Sequence, residues 1–181
     1  MSGLMTYGDG GGGEECAQHS PRVSERESAS GISIVPMEAG DLEQVAALDA
    51  LVSNPAWSRA MFESEFTTNQ FAAFFVARER GERAVRGYLG CWIVFDELHL
   101  LNVAVHPGWR RRGIARRLVH TAMERAEASG AIRGLLEVRA SNDAAQHLYA
   151  GFGFRVMARR SRYYTEPVED ALIMECAVGG A

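Results

Sequence analysis

The spacing of apolar residues predicts alternating strands and helices from residue 32 onward. A short alternating segment at 32–35 is typical of a β-strand. Apolar residues then recur at helical spacing over 42–48, directly after Asp41, a residue type that often caps helices. The segment 58–68 repeats this spacing, so the sequence predicts one strand followed by two helices.

The middle of the chain predicts a meander of strands and then changes its period. Aromatic and aliphatic residues fill 71–78, 87–95 and 98–105, which are separated by short polar turns. Apolar residues over 114–126 instead follow a 3.6-residue period, and Gly130 ends that pattern. We therefore expect three antiparallel strands followed by a long amphipathic helix.

The last part of the chain predicts a strand at 134–139, a short helix at 142–150, and strands at 154–158 and 171–177. No internal repeat or linker interrupts residues 31–178. The whole pattern predicts one α/β (α+β) domain with seven strands and about four helices.

Residues 1–30 differ from the rest of the chain in composition. They contain a glycine cluster at 8–13 and five acidic residues against two basic ones. Such a segment buries too little apolar surface to offset its ordering entropy, so we expect a disordered tail. The glycine cluster is not a phosphate loop, because no Gly-Lys-Ser/Thr follows it. A translation start downstream of the tail is an alternative interpretation.

Composition and charge exclude several classes of protein. The net charge of −4 argues against general nucleic-acid binding, and no apolar run reaches the length of a membrane span. The start of the chain lacks the features of a secretory signal. Three scattered cysteines (Cys16, Cys91 and Cys176) are typical of reduced thiols in the cytoplasm. The five histidines show no metal-ligand spacing, so we expect no metal.

The junction between strand 98–105 and helix 114–126 carries the strongest chemical signal. Gly113 and Ala115 place small residues at the helix entrance, where backbone N–H groups lack intrahelical partners and favour an anion. A diphosphate and a further phosphate suit the arginines around this entrance. These are Arg110, Arg111, Arg112, Arg116 and Arg117. A basic solvated turn or an RNA-binding run is the alternative.

Three polar residues further along the chain are candidates for chemistry. Glu137 lies in an apolar strand, where strand alternation could equally point it to solvent. Tyr149 lies on the short helix, where a tyrosine is commonly a packing residue. Asn142 precedes that helix and could cap it.

These segments resemble the GNAT superfamily of N-acetyltransferases and, more narrowly, the bacterial ribosomal-protein-alanine N-acetyltransferase (RimI) family. The acetyl-CoA signature Arg/Gln-x-x-Gly-x-Gly/Ala is matched by Arg110, Gly113 and Ala115. The likeness covers about residues 32–178. Further matching segments are 102–105, 136–142, 145–154 with its Leu148-Tyr149 pair, 162–164 and 169–174.

The resemblance implies a mixed, seven-stranded, splayed sheet that holds acetyl-CoA as co-substrate between its fourth and fifth strands. A splayed strand leaves backbone groups unpaired, and the amide-rich pantetheine arm can satisfy them. In the family, one such N–H also polarises the thioester carbonyl. The implied acetyl-CoA contacts are Val103, Ala104, Val105, Arg110, Arg111, Arg112, Gly113, Ile114, Ala115, Arg116 and Asn142.

The resemblance also implies roles for the remaining candidates. Glu137 matches the family's general base, and Tyr149 matches its general acid toward the CoA sulfur. Trp57, Tyr163 and Tyr164 match residues on the acceptor side of the family's site. The alternative is a purely structural role, with the tryptophan buried to anchor a turn and the two tyrosines exposed. Thr165 replaces the proline usual after the two tyrosines, which leaves acceptor preference less defined than the chemistry.

The expected protein is therefore a cytoplasmic Nα-acetyltransferase, a monomer or weak dimer. Its expected partner is the N-terminal peptide of a small-subunit ribosomal protein that begins with alanine, without nucleic acid or membrane. Acetylation of lysine side chains or small amines by the same fold is one alternative. A non-catalytic acyl-CoA-binding module is another.

Overall fold

The computed structural model of the protein describes residues 31–179, so the predicted tail at 1–30 lies outside the described residues. Strands and helices follow one another in the predicted order. The strands are β1 (Ile32–Pro36), β2 (Ala72–Glu79), β3 (Val85–Val94), β4 (Glu97–Val105), β5 (Arg133–Arg139), β6 (Arg155–Thr165) and β7 (Val168–Ala177). The α-helices are α1 (Leu42–Val52), α2 (Arg59–Thr68), α3 (Ile114–Ala128) and α4 (Asp143–Ala150).

The seven strands form one mixed sheet in the order β1-β2-β3-β4-β5-β7-β6. Strands β4 and β5 are parallel, and every other neighbouring pair is antiparallel. The predicted α/β architecture with a mixed seven-stranded sheet and four helices is confirmed.

Helices cover both faces of the sheet, so the core consists of two layers with the sheet between them. Helix α3 buries one apolar stripe against the sheet, and Tyr149 of α4 joins the same layer. Helices α1 and α2 pack on the opposite face around Val45 and Phe62. Full burial of one such aliphatic side chain stabilises the fold by about 1.5–3 kcal/mol. The stripe on α3 consists of Ile114, Leu118, Val119, Ala122 and Ala126.

Strands β4 and β5 separate halfway along their length. Their pairing runs from Glu97 opposite Arg133 to Leu100 opposite Leu136, and it stops there although both strands continue. One extra residue, Leu101, interrupts the register of β4 against β3 at the same level. A bulge of this kind bends a strand and increases its twist. The sheet is therefore splayed beyond Leu100, as the family resemblance predicts.

The last hairpin is longer than the sequence predicts. Strand β6 extends to Thr165 rather than ending at 158, and β7 begins at Val168 rather than 171. Strand β6 is the outer edge of the sheet, and its side chains are exposed apart from that of Tyr164. An edge strand exposed on both faces carries no apolar alternation, so hydrophobic spacing could not mark its end. Tyr163 and Tyr164, which lie outside the strands that the sequence predicts, therefore both belong to β6.

Candidate active site

The N-terminus of α3 forms an open anion site. Gly113 precedes the helix with a φ of 76°, a left-handed conformation that glycine adopts at little cost. No side chain caps this end, so the N–H groups of the first turn remain available. A Cβ added at Gly113 would meet no atom within 4 Å, so a phosphate could approach the backbone closely. This geometry fits the predicted diphosphate contact.

Aromatic rings orient the arginines around this helix start. The guanidinium groups of Arg86 and Arg112 each lie 4.6 Å from the centroid of the Trp109 ring. Arg116 lies over the ring of Phe152 at 5.3 Å. These cation–π contacts hold positive charge beside the helix entrance.

Two further arginines of the basic run contact backbone carbonyls. Arg110 donates from Nε to the Val105 carbonyl at 3.3 Å, which braces the end of β4. Arg117 donates to the Ile32 carbonyl of β1 at 3.0 Å. Arg117, which the basic run predicts near the phosphates, therefore contacts β1 through its guanidinium.

The splayed end of β4 provides backbone groups next to this anion site. Val103, Ala104 and Val105 pair with β3 on one side but have no strand partner across the gap toward β5. Alternate backbone N–H and C=O groups of an extended strand point to each side. The gap between β4 and β5 can therefore accept an amide-containing chain as an additional strand.

Glu137 lies on β5 at the start of this gap. Its neighbours Leu136 and Val138 are buried in the α3 layer, so its own side chain points to the other face. The carboxylate forms an ion pair with Arg160, and the Glu137 side chain is 30% exposed. Tyr163 also hydrogen-bonds to this carboxylate, which raises the pKa of the Tyr163 hydroxyl. The glutamate is thus accessible and surrounded by groups from β6.

Tyr149 approaches the site from α4. The helix starts at Asn142, whose side-chain oxygen accepts from the Ala145 N–H at 3.1 Å, as expected for an N-cap. Tyr149 is only 9% exposed, and its ring packs on Phe154 with centroids 5.9 Å apart. Burial raises the pKa of Tyr149 to about 12, and the nearby Tyr164 contributes further. The phenol therefore keeps its proton at neutral pH.

A buried carboxylate anchors the turn between α1 and α2, residues 53–58, which we call the α1–α2 turn. Asp49 is 1% exposed and accepts hydrogen bonds from the Trp57 N–H at 2.7 Å and the Tyr88 hydroxyl at 2.6 Å. Burial and this bond to Asp49 raise the pKa of Tyr88. Ser58 accepts from the Met61 N–H at 3.2 Å and so caps the start of α2.

The three predicted acceptor-side residues lie in two different places. The half-buried Trp57 ring packs on Phe62 with centroids 5.2 Å apart, so it contributes to the α1–α2 core. Tyr163 and Tyr164 are adjacent on β6, with their rings at nearly right angles and centroids 5.2 Å apart. The tyrosines therefore adjoin Glu137 and Tyr149, whereas Trp57 supports the turn.

Four charged residues of the site went unassigned in the sequence analysis. They are Arg139, Arg160, Glu169 and Asp170. Arg160 pairs with Glu137, while Asp170 accepts from the Arg162 N–H and from Arg159. Those bonds lower the pKa of Asp170. For Arg139 on β5 and for Glu169 and Asp170 on β7, a charged residue on an otherwise apolar strand was the available signal, whereas Arg160 on the exposed strand β6 had none. The partners of all four depend on the β5–β7–β6 register.

Among residues 31–179, no group of three or more histidine, cysteine, aspartate and glutamate side chains could hold a metal ion. None of the helices in the same range is long and apolar enough to span a membrane.

Comparison with known proteins places this geometry in a family. The sequence model of the Acetyltransferase (GNAT) family matches residues 42–154. The [ribosomal protein bS18]-alanine N-acetyltransferase of Escherichia coli is 34% identical over 146 residues, which cover 78% of this chain and 95% of that protein.

Solved structures show the same fold. The crystal structure of the ribosomal-protein-alanine N-acetyltransferase from Escherichia coli has a TM-score of 0.75 at 31% identity. The matched region covers 83% of this chain and 96% of the chain in that crystal structure. Arabidopsis thaliana NAA60 in complex with acetyl-CoA also reaches a TM-score of 0.75, at 18% identity over 82% of this chain and 99% of its own. The chain belongs to the GNAT family of acetyltransferases.

Proposed function

We propose that this protein transfers the acetyl group of acetyl-CoA to the α-amine of the N-terminal alanine of ribosomal protein bS18. The observation that carries the proposal is the gap between β4 and β5, which has Glu137 at its start and unpaired β4 backbone that leads toward the open N-terminus of α3. The name of the Escherichia coli relative supports the acceptor. The acetyl-CoA complex of the Arabidopsis thaliana neighbour supports the donor.

The chain's own groups fit acetyl-CoA along this gap. N–H groups of the first α3 turn and the adjacent arginines would bind its phosphates. The free edge of β4 at 103–105 would bind the amides of the pantetheine arm, and an N–H of that edge would polarise the thioester carbonyl. Asn142 already caps α4, which leaves its amide nitrogen as the group to contact the donor.

Glu137 acts as the general base in this proposal. The acceptor amine must lose a proton before or as it attacks the thioester, and a partly exposed carboxylate can receive that proton directly or through water. Arg160 contacts the same carboxylate, so the incoming amine has to compete with its guanidinium. Tyr163 would keep the carboxylate oriented through its hydrogen bond.

Tyr149 stabilises the departing sulfur. Because its pKa is about 12, the phenol is a hydrogen-bond donor at any physiological pH. An ordinary thiol has a pKa of about 8.5, so full proton transfer from this phenol to a thiolate is uphill. We therefore assign the general-acid role of Tyr149 mainly to a hydrogen bond that strengthens as charge develops on sulfur.

Acid–base chemistry favours a terminal amine as the acceptor. An α-amine with a pKa of about 7.8 is roughly 10–15% neutral at pH 7, whereas a lysine with a pKa of about 10.4 is less than about 0.1% neutral. A single carboxylate base of moderate strength suffices for the first acceptor but not readily for the second.

Three peptides test the choice of acceptor. With acetyl-CoA, we expect release of CoA thiol with an alanine-starting peptide but not with its Nα-blocked form. Replacing every lysine in the unblocked peptide should leave the rate unchanged. If signal persists on the blocked peptide and disappears when lysines are removed, the enzyme is a lysine acetyltransferase and the proposal fails.

Gly113→Glu tests the donor site. A carboxylate at the helix entrance should repel the diphosphate and fill its space, so the acetyl-CoA Kd should rise at least about tenfold, or about 1.4 kcal/mol. Isothermal calorimetry on the folded variant measures this. Gly113→Ala introduces only the strain of a left-handed non-glycine residue and serves as the control. If both variants and the native protein bind acetyl-CoA with equal affinity, the phosphates do not bind at the α3 entrance.

A further inference from the structure

Arg86 is an arginine beside the α3 entrance that the basic run 110–117 does not include. It has no partner in the register of β3 against β2, which shifts between Ala77 and Arg78. Its carbonyl accepts from the His106 N–H at 2.9 Å, so it lies next to the end of β4. A bulge can re-aim a side chain that a regular strand would direct elsewhere. The bulge in β3 therefore places an additional arginine at the junction of β4 and α3.

Arg86 and Arg112 contact the same indole ring. The guanidinium carbon of each lies 4.6 Å from the centroid of Trp109, so two positive charges are held close together. The nearest carboxylate oxygen to Arg86 belongs to Glu79, whose side chain is 45% exposed, and it is 4.0 Å from Nη2. Within residues 31–179, Arg112 forms no ion pair. Because like charges repel, this pair becomes more favourable when an anion binds to it.

The ring contact rather than hydrogen bonding holds the Arg86 guanidinium in place. The side chain is 26% exposed, and its Nε is shielded from solvent. That Nε has no hydrogen-bond partner in the part of the chain that the structure describes. A buried N–H without a partner costs free energy, which the cation–π contact offsets only in part. Stability alone therefore does not account for an arginine at this position, whereas a ligand for its Nη groups would.

Acetyl-CoA presents two separate phosphate groups to this region. Its diphosphate suits the N–H groups behind Gly113, and its ribose carries a phosphomonoester on the 3′ carbon. A phosphomonoester has about two negative charges at neutral pH and three acceptor oxygens. Part of the basic run already contacts other segments, namely Arg110, Arg116 and Arg117. The pair on Trp109 is thus the pre-positioned partner for the monoester.

We propose that Arg86 and Arg112 together bind the 3′-phosphate of acetyl-CoA, so that the protein distinguishes CoA from its 3′-dephospho form. The inference rests on the proposed function for the donor only, and it requires neither the acceptor nor Glu137. Guanidinium groups match phosphate oxygens with two parallel hydrogen bonds, each assisted by charge. Their contact with Trp109 restricts both side chains before the ligand arrives, which lowers the ordering cost of binding.

Calorimetric titration with acetyl-CoA and with 3′-dephospho-acetyl-CoA tests the proposal. We expect the native protein to bind the dephospho form at least about tenfold more weakly. Arg86→Gln should weaken acetyl-CoA binding by a similar factor, while its affinity for the dephospho form stays within about twofold of the native value. Arg125→Gln removes an exposed arginine from the last turn of α3 and should leave both affinities unchanged.

The two ligands separate phosphate binding from a structural role. If Arg86→Gln weakens both ligands equally, Arg86 only supports the α3 entrance and the proposal is wrong. Equal affinity of the native protein for both ligands would also contradict it, although the donor would stand. Binding of neither ligand by the native protein would refute the proposed donor, and this inference with it. Should Arg86→Gln fail to fold, Arg112→Gln provides the same comparison, because both arginines bind the monoester in this account.

Discussion

Replacing Glu137 with glutamine is expected to lower kcat/KM for an alanine-starting peptide by about 10²–10⁴-fold, while acetyl-CoA binding stays unchanged. The amide preserves the shape of the side chain but cannot receive the proton of the acceptor amine. Steady-state thiol release and calorimetric titration of acetyl-CoA measure the two quantities separately.

The ion pair of Glu137 calls for a matched control, because Glu137→Gln also leaves Arg160 without its partner. Arg160→Gln breaks the same pair but keeps the carboxylate, so its loss should stay below about tenfold. Equal losses in the two variants would assign the effect to the ion pair and contradict the role of Glu137 as base.

Tyr149→Phe is the second large effect. Removing the hydroxyl takes away the hydrogen bond to the departing sulfur, so kcat should fall by about 10²–10⁴-fold. Tyr164→Phe, which removes a hydroxyl from the adjacent ring on β6, should lose far less.

The pH dependence checks the state of the same phenol. Burial disfavours the phenolate and raises the pKa of Tyr149 to about 12, so the donor form persists well above neutral pH. The native rate should rise as the acceptor amine loses its proton, near a pKa of about 7.8, and then stay level to about pH 10. A decline beginning near pH 9 that vanishes in Tyr149→Phe would show an ordinary phenol and contradict this account.

Hydrophobic spacing was sufficient to predict most of the fold. Helix α3 carries a regular buried stripe that ends before Gly130, and the order of elements follows from such local patterns. Strand β6 was predicted too short because its exposed residues lack any alternation. An element that forms by burying apolar residues can therefore be predicted from its own sequence. The length of an exposed edge strand depends on pairing with its neighbour and cannot be predicted in this way.

The candidate site divides in the same way. The α3 entrance was predictable because Gly113, its flanking arginines and the preceding strand are contiguous in sequence. Glu137 and Tyr149 were assigned only through the family resemblance, since each had an equally good packing or solvent interpretation. The contact between Arg139 and the Asn54 carbonyl joins residues 85 positions apart, so it depends on tertiary structure.

The most direct test of the central claim is to locate the acetyl group on its acceptor. Full-length ribosomal protein bS18 beginning with alanine is incubated with this protein and acetyl-CoA, and tandem mass spectrometry then assigns the modified position. The account predicts a single acetyl group on the α-amine of the N-terminal alanine. Acetyl groups on lysine side chains with a free N-terminus would contradict it.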